Sequence, residues 1–268
     1  MGFISRFFST RSATSGSLNG HSASEVRLAG QSHMGHVRPT NQDSVFFTRR
    51  PCDGGGYGAF ALIADGMGSV EGGSVASKIA SQTIPQLYLK SRGDPPKELR
   101  KAIEAASGEI YRRSQKEPSL AGMGTTCVAL DVNPPGAWAA WVGDSRLYLI
   151  REHQIYQLSE DHSVVKELVR RGLLTAEAAS EHEERNLVTR VLGGRRVEVA
   201  VWAKPFPVRS GDRFLLSTDG LHDSLSELEM LSILAGGSVE SACLDLVQAA
   251  EQRGGHDNIS AVLVEIAG

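Results

Sequence analysis

Apolar positions along the chain follow two periods. "EVRLAGQS", from Glu25, and "SVFFTRR", from Ser44, read as strands, and "AFALIA" at 59–64 is a continuous apolar run expected of a strand buried on both faces. The glycine-rich "CDGGGYG" before that run predicts a turn. In "GGSVASKIASQTIPQLYLK" the period changes: Val75, Ile79, Ile84 and Leu87 are spaced for a helix over 72–90, and Pro85 is expected to kink it. Asp94 followed by Pro95 predicts an N-cap and first turn, opening a helix to about Lys116 with Leu99, Ile103, Ala106 and Ile110 on one side.

Closely spaced strands come next in "TTCVALDV", "AWAAWVGD" and "RLYLIREHQIYQLSED", with "NPPG" as a hairpin loop. Asp161 to Arg171 reads as helical, and Ser180-x-x-Glu183 offers a second cap nearby. "EVAVWAKPF" and "DRFLLSTD" return to strand. Ser226 and Glu229 form a capping box for a helix through Leu234, residues 238–253 have helical period, and "NISAVLVEI" closes the chain as a strand. Strand and helix do not alternate throughout. The expected class is therefore α+β, a layered domain with largely antiparallel sheets, in preference to a doubly wound parallel one.

The apolar runs share a peculiarity. "ALIADGMG" and "RFLLSTDGLHD" both end on Asp-Gly, and Asp144 likewise closes "AWAAWVG". Asp43 precedes "SVFF", and Asp257 opens "NISAVLV". Each alone reads as a turn residue, and Asp144 has Arg146 as a nearby pairing partner. Together, five acids from five segments stand where a strand meets a turn. If they converge, their charges repel and raise one another's pKa unless cations lie among them. An all-oxygen, carboxylate-rich cluster suits Mg²⁺ or Mn²⁺ better than zinc. Two such ions held by shared acids make a platform for hydrolysing phosphoryl groups. Arg38, five residues before Asp43, has a guanidinium fork that matches phosphate oxygens.

Bulk composition narrows the partners. The 268 residues suffice for a real core, and 41% hydrophobic with 22% charged residues is ordinary for a soluble globular protein. A net charge of -3 provides no basic excess for nucleic acid. Cys52, Cys127 and Cys243 are odd in number and not at zinc spacing, which points to a reducing, cytoplasmic setting. No apolar run approaches membrane-spanning length. Residues 1–24 are Ser-rich, carry Arg6 and Arg11 and have no acid. They are expected to be a flexible tail preceding a domain over 25–268. The alternatives are an organelle transit peptide or an amphipathic helix that brings Phe3, Ile4, Phe7 and Phe8 to a membrane or partner through residues 1–12.

The stretches "GHVRPTNQDS", "ALIADGMG", "GMGTTCVAL", "WVGDSRLYLIR", "LSEDHSVVKELVRRGLLT", "LVTRVLGG", "FLLSTDGLHD" and "GHDNISAVLV" occur in this order over about residues 26 to 266. With them the chain resembles the metal-dependent protein phosphatases, the type 2C serine/threonine family, and looks most like its bacterial branch. The resemblance implies two antiparallel β-sheets packed as a sandwich with flanking helices. It implies that Asp43, Asp65, the carbonyl of Gly66, Asp219 and Asp257 bind two Mn²⁺ or Mg²⁺ ions, with Asp144 and Asp219 holding a third. It also implies that Arg38 binds the substrate phosphate, and that about 161–194 is a helical flap beside the site. Phosphorylated proteins, products of a serine/threonine kinase, are the expected substrates of a monomeric enzyme. Two rivals are a non-catalytic phosphoprotein-binding module of the same fold and a phosphodiesterase on the same metal platform. Two departures stand out: Met67 and Val70 occupy positions where family members carry a histidine, so the general acid is unassigned. Gln42 stands where some members have an acid, and its amide is expected to hold a water. His36, His162, His182 and His256, all within matching stretches, are read as structural or flap residues first.

Overall fold

The structure is a computed structural model that describes residues 25–52, 56–134, 136–180 and 182–267. The segment 1–24, with its expected tail and its membrane-touching alternative, lies outside the described residues. None of the helices among the described residues is long and apolar enough to cross a membrane.

Three long strands open the fold, β1 (Glu25–His33), β2 (Asp43–Pro51) and β3 (Tyr57–Met67), and two helices follow, α1 (Gly72–Tyr88) and α2 (Pro95–Lys116). Next come β4 (Gly124–Thr125), β5 (Cys127–Asn133), β6 (Gly136–Val142), β7 (Arg146–Arg151) and β8 (Gln154–Gln157). The insert carries α3 (Val164–Arg170) and α4 (Ala176–Ser180). The chain finishes with β9 (Ala200–Val201), β10 (Phe206–Pro207), β11 (Arg213–Ser217), α5 (Asp219–His222), α6 (Glu227–Leu234), α7 (Val239–Gln252) and β12 (Ile259–Ala267).

The strands form two sheets. One has the order β1-β12-β11-β7-β8 and the other β10-β6-β5-β3-β2, with β4 added to β3 and β9 to β6. Every strand pairing is antiparallel. Side chains alternate across each strand, and this alternation divides the core into three layers. Ala59, Ala61 and Ile63 of β3 meet Leu147, Phe214, Val262 and Val264 between the sheets. Phe60, Leu62 and Ala64, from the other face of β3, pack beneath Ala76, Ala80, Leu99 and Ile103 of α1 and α2. Tyr148, Leu215 and Leu263 lie beneath Met230 and Leu246 of α6 and α7. The result is a sandwich with flanking helices, the α+β arrangement expected.

Several local signals work as read. Helix α2 spans Pro95–Lys116 with Pro in its first turn, Ser226 and Glu229 bond reciprocally as a capping box, and Ser163 caps α3 by accepting from Lys166 N–H. Pro85 lies inside α1, whose final turn follows it, and the Pro85 carbonyl accepts Leu89 N–H. Two other signals do not work as read. Ser180 is the last residue of α4, so the chain ends a helix there instead of opening one. "EVAVWAKPF" supplies only the two-residue strands β9 and β10, since Pro205 and Pro207 lack the donor that a continuous ladder needs.

Candidate metal centre

The sandwich brings all five acids and Arg38 to one end. In the β2–β3 register Asp43 stands directly opposite Asp65, so two like charges share a cross-strand pair, an arrangement that is destabilising unless compensated. Asp219 opens α5 where β11 ends and lies close enough to Asp65 for its charge to raise the Asp65 carboxyl. Asp144 lies in the β6–β7 turn, and Asp257 immediately precedes β12.

Each carboxylate is held by its surroundings. Asp43 Oδ2 accepts from Thr218 Oγ1 at 2.9 Å and from Ser260 Oγ at 2.6 Å, whereas its buried Oδ1 has no hydrogen-bond partner. Burial, with repulsion from Asp219 and Asp257, outweighs the two hydroxyls and pushes Asp43 up to about 7. Asp65 is raised well above the usual carboxylate range by burial and then by Asp219, Asp43 and Asp144. Asp219, whose Oδ1 is sealed from water without a partner, is raised to about 6 by burial and by Asp257 and Asp223. Asp144 rises to about 7, again chiefly through burial, then through Asp219 and Asp161. Arg146 does not serve Asp144: its guanidinium grips Asp161, with Nη2 2.7 Å from Oδ2. Asp257 is gripped by Arg38 through two bonds of 2.9 and 2.7 Å and accepts Asn258 N–H at 2.8 Å.

The Asp-Gly pairs work differently from turns. Strand β3 runs through Asp65 and Gly66 to Met67, pairing Gly66 with Thr125 of β4. Glycine is required there because a Cβ would overlap the Gly73 carbonyl and lie 2.6 Å from the Gln42 carbonyl oxygen. Gly220 is likewise packed against Asn258, whose carbonyl oxygen a Cβ would strike. Both glycines therefore permit close approach of a neighbouring segment's backbone to the acid beside them.

Sequence reasoning missed the side chains that position the acids. Asn258 accepts Gln42 N–H at 2.8 Å and donates to the carbonyls of Met34 and Thr40, tying the Arg38 loop to β12. Thr126 Oγ1 receives Asp65 N–H at 3.0 Å and lies 2.7 Å from Ser145 Oγ. Asn within two residues of Asp in both "TNQD" and "DNIS" was the one available signal, since Asn side chains close turns of this kind. The Gln42 amide donates to the carbonyls of Ser69 and Val70 at 2.9 and 3.2 Å, so its donors pin a loop. The half-buried His222 ring bonds Ser217 Oγ at 2.9 Å and is held well below the ordinary histidine range by desolvation.

Among the described residues no three His, Cys, Asp or Glu side chains close into a metal-ligating cage. Instead Asp219 presses its charge on Asp65, and a guanidinium covers Asp257. Even so, the donors fit a hard cation: they are all carboxylates, two of them carry a sealed oxygen without a partner, and their charges raise one another.

Comparison with known proteins agrees. The protein phosphatase 2C family profile matches residues 29–264. The chain is 34% identical over 242 residues to the serine/threonine protein phosphatase PstP of Mycobacterium tuberculosis, covering 90% of this chain and 45% of that protein, so it spans about half the length of that relative. Identity to the serine/threonine phosphatase stp of Listeria monocytogenes is 38% over 211 residues, 76% of this chain and 83% of the other. The crystal structure of the PstP catalytic domain in complex with two manganese ions superposes with a TM-score of 0.79 at 32% identity, covering 91% of this chain and 99% of that one. Stp1 from Staphylococcus aureus gives a TM-score of 0.80 at 28% identity, covering 97% of this chain and 100% of that one. With its sandwich, its order of motifs and its ring of acids, this chain belongs to the protein phosphatase 2C family.

Proposed function

We propose that the protein is a Mn²⁺- or Mg²⁺-dependent phosphatase that hydrolyses phosphoserine and phosphothreonine in proteins phosphorylated by a serine/threonine kinase. The observation that carries this is the direct opposition of Asp43 and Asp65 across β2 and β3, with the Asp219 carboxylate beside Asp65. Two manganese ions in the PstP catalytic domain support the same use of these acids here. Asp43, Asp65, the Gly66 carbonyl, Asp219 and Asp257 would hold two ions, and Asp144 with Asp219 a third. When bound, the ions supply Lewis-acid stabilisation of phosphoryl oxygens and an activated water.

The chain's own contribution is placement and charge. Hydroxyls of Thr218 and Ser260 hold Asp43 by Oδ2 and leave Oδ1 without a hydrogen-bond partner. Arg38, half-exposed and already at the rim, would exchange Asp257 for the phosphate and bind its oxygens through the same fork. Met67 and Val70 supply no proton donor, and His222 is engaged with Ser217. Residues 25–268 would form one catalytic unit with 161–194 as its flap. An odd number of cysteines, none at zinc spacing, supports a cytoplasmic setting, and a monomer is the simplest assembly.

Hydrolysis of a phosphopeptide and of a bis-ester, each with Mn²⁺ and with chelator, tests the reading. Metal-dependent turnover of the phosphopeptide is expected. Preference for the bis-ester favours the phosphodiesterase, and no metal-dependent turnover favours the binding module.

A further inference from the structure

The start of the flap is zipped to the β6–β7 turn that carries Asp144. Trp141 Nε1 donates to the Glu160 carbonyl at 2.9 Å, and Arg146 grips Asp161. Between them His162 makes a reciprocal pair with Gly143: its backbone N–H donates to the Gly143 carbonyl at 3.0 Å, and its ring Nδ1 accepts Gly143 N–H at 3.1 Å. Thr189 N–H then bonds the His162 carbonyl at 2.7 Å, tying the far end of the flap to the same residue.

The turn cannot easily sit elsewhere. Gly143 has a φ of 103°, and a Cβ on it would lie 2.6 Å from Thr126 Cγ2. Thr126 in turn holds the backbone of Asp65. The Gly143 amide therefore has one direction in which to point, and the imidazole is what meets it.

Chemistry fixes the tautomer. A backbone N–H can only donate, so Nδ1 must be the unprotonated nitrogen and Nε2 carries the hydrogen. Arg190 Nη1, also a donor, lies 3.4 Å from Nε2. That contact is the one to yield, because Arg190 has Glu198 as a partner at 3.1 Å. Protonating the ring would place a hydrogen against Gly143 N–H and a charge beside Arg190. Consistently, burial and Arg190 hold His162 down to about 4, against the opposing pull of Glu198 and Asp161.

We infer that His162 is a positioning residue for Asp144: by accepting the Gly143 N–H it fixes the turn that presents the Asp144 carboxylate, and it couples that acid to the flap. The inference rests on the reading that Asp144 helps hold a third ion.

The test separates acceptor from mere bulk. In His162→Asn the amide Oδ1 takes the place of Nδ1 and keeps the bond; in His162→Gln the amide falls nearer the place of Nε2 and loses it. In metal-free protein, amide exchange at Gly143 is expected to accelerate about tenfold in the Gln variant, as loss of one hydrogen bond predicts, and to stay within about twofold of wild type in the Asn variant. Calorimetric Mn²⁺ titration should show the weakest site losing about tenfold in affinity in the Gln variant alone. With the phosphopeptide, kcat should fall in the Gln variant while KM holds. Equal behaviour of the two variants overturns the inference. So does a ¹⁵N spectrum of the wild-type ring with the hydrogen on Nδ1, a measurement that does not depend on either variant folding. Exchange and tautomer need neither metal nor substrate, so they decide the role of His162 even if the phosphatase reading fails.

Discussion

Arg38 lies forked across Asp257, its Nε 2.9 Å from Oδ1 and its Nη2 2.7 Å from Oδ2. Fork geometry suits a carboxylate and a phosphate equally well, so the same side chain can serve the acid before substrate arrives and the phosphate afterwards. Proximity of Asp257, Asp219 and Asp65 holds the guanidinium firmly protonated. If Arg38 binds phosphate equally in ground and transition states, Arg38→Ala raises KM by about tenfold and changes kcat little. Initial rates over a range of phosphopeptide concentrations measure this, and a KM unchanged within error shows that Arg38 has another role.

Asp219→Asn separates function from stability. Asp219 touches Asp65 and feels Asp257 and Asp223, and its Oδ1 is sealed without a partner. The neutral amide relieves repulsion, so metal-free D219N should melt at or above the wild-type temperature at pH 8. It should also lose nearly all turnover. Saturating Mn²⁺, at about 100 times its Kd, should raise the wild-type Tm by roughly 5–10 °C and raise that of the variant far less. Thermal melts with metal and with chelator decide the matter; equal metal-induced shifts would remove Asp219 from the ion site.

Much of this architecture was legible in the chain. Continuous apolar runs marked β3, β5, β6 and β11 because strands buried on both faces carry no polar alternation. The five acids stood out because each interrupts or flanks such a run. Register was not legible: nothing in residues 43 and 65 says that they face each other, since a slip of one residue would send either side chain to the opposite face. The purpose of the glycines was not legible either, for a related reason. A glycine after an acid looks like a turn, and only the packed structure shows that Gly66 is needed to admit the Gly73 carbonyl and Gly220 the Asn258 carbonyl. The supports Thr126, Thr218 and Ser260 were invisible because single hydroxyls in strands and loops have no period to betray them.

That packing makes Gly66→Ala a probe of the site from behind. The added methyl has no free space between the Gly73 and Gln42 carbonyls, so β3 and α1 must part. Overpacking of this kind costs about 1–3 kcal/mol. Because the shift occurs beside Asp65, Mn²⁺ affinity should fall as well. Gly108→Ala, where a Cβ meets nothing within 4 Å, should be neutral or slightly stabilising in its helix. Denaturant melts of both variants with calorimetric Mn²⁺ titration check the pair, and equal effects of the two would contradict the close-packing account.

His162 also sets an expected slope of stability with pH. Its folded pKa, about 4, lies below the ordinary 6.5, so between those values the unfolded chain binds the proton and the folded one does not. Stability from this group is complete above about pH 6.5 and is lost as pH falls towards 4. The raised carboxylates work the other way. Asp43 and Asp144, near 7 when folded against an ordinary 3.8, keep protons that the unfolded chain releases, so their contribution weakens as pH rises from 3.8 through 7 in metal-free protein. The two trends overlap and partly cancel, and wild-type curves alone would hide both. The difference between wild type and His162→Asn isolates the histidine: the variant should lose less stability than wild type between pH 6.5 and 4, and the two curves should run parallel above pH 7. Urea denaturation at half-unit intervals measures this, and parallel curves across the whole range would mean that His162 takes up its proton in the folded protein as readily as in the unfolded chain.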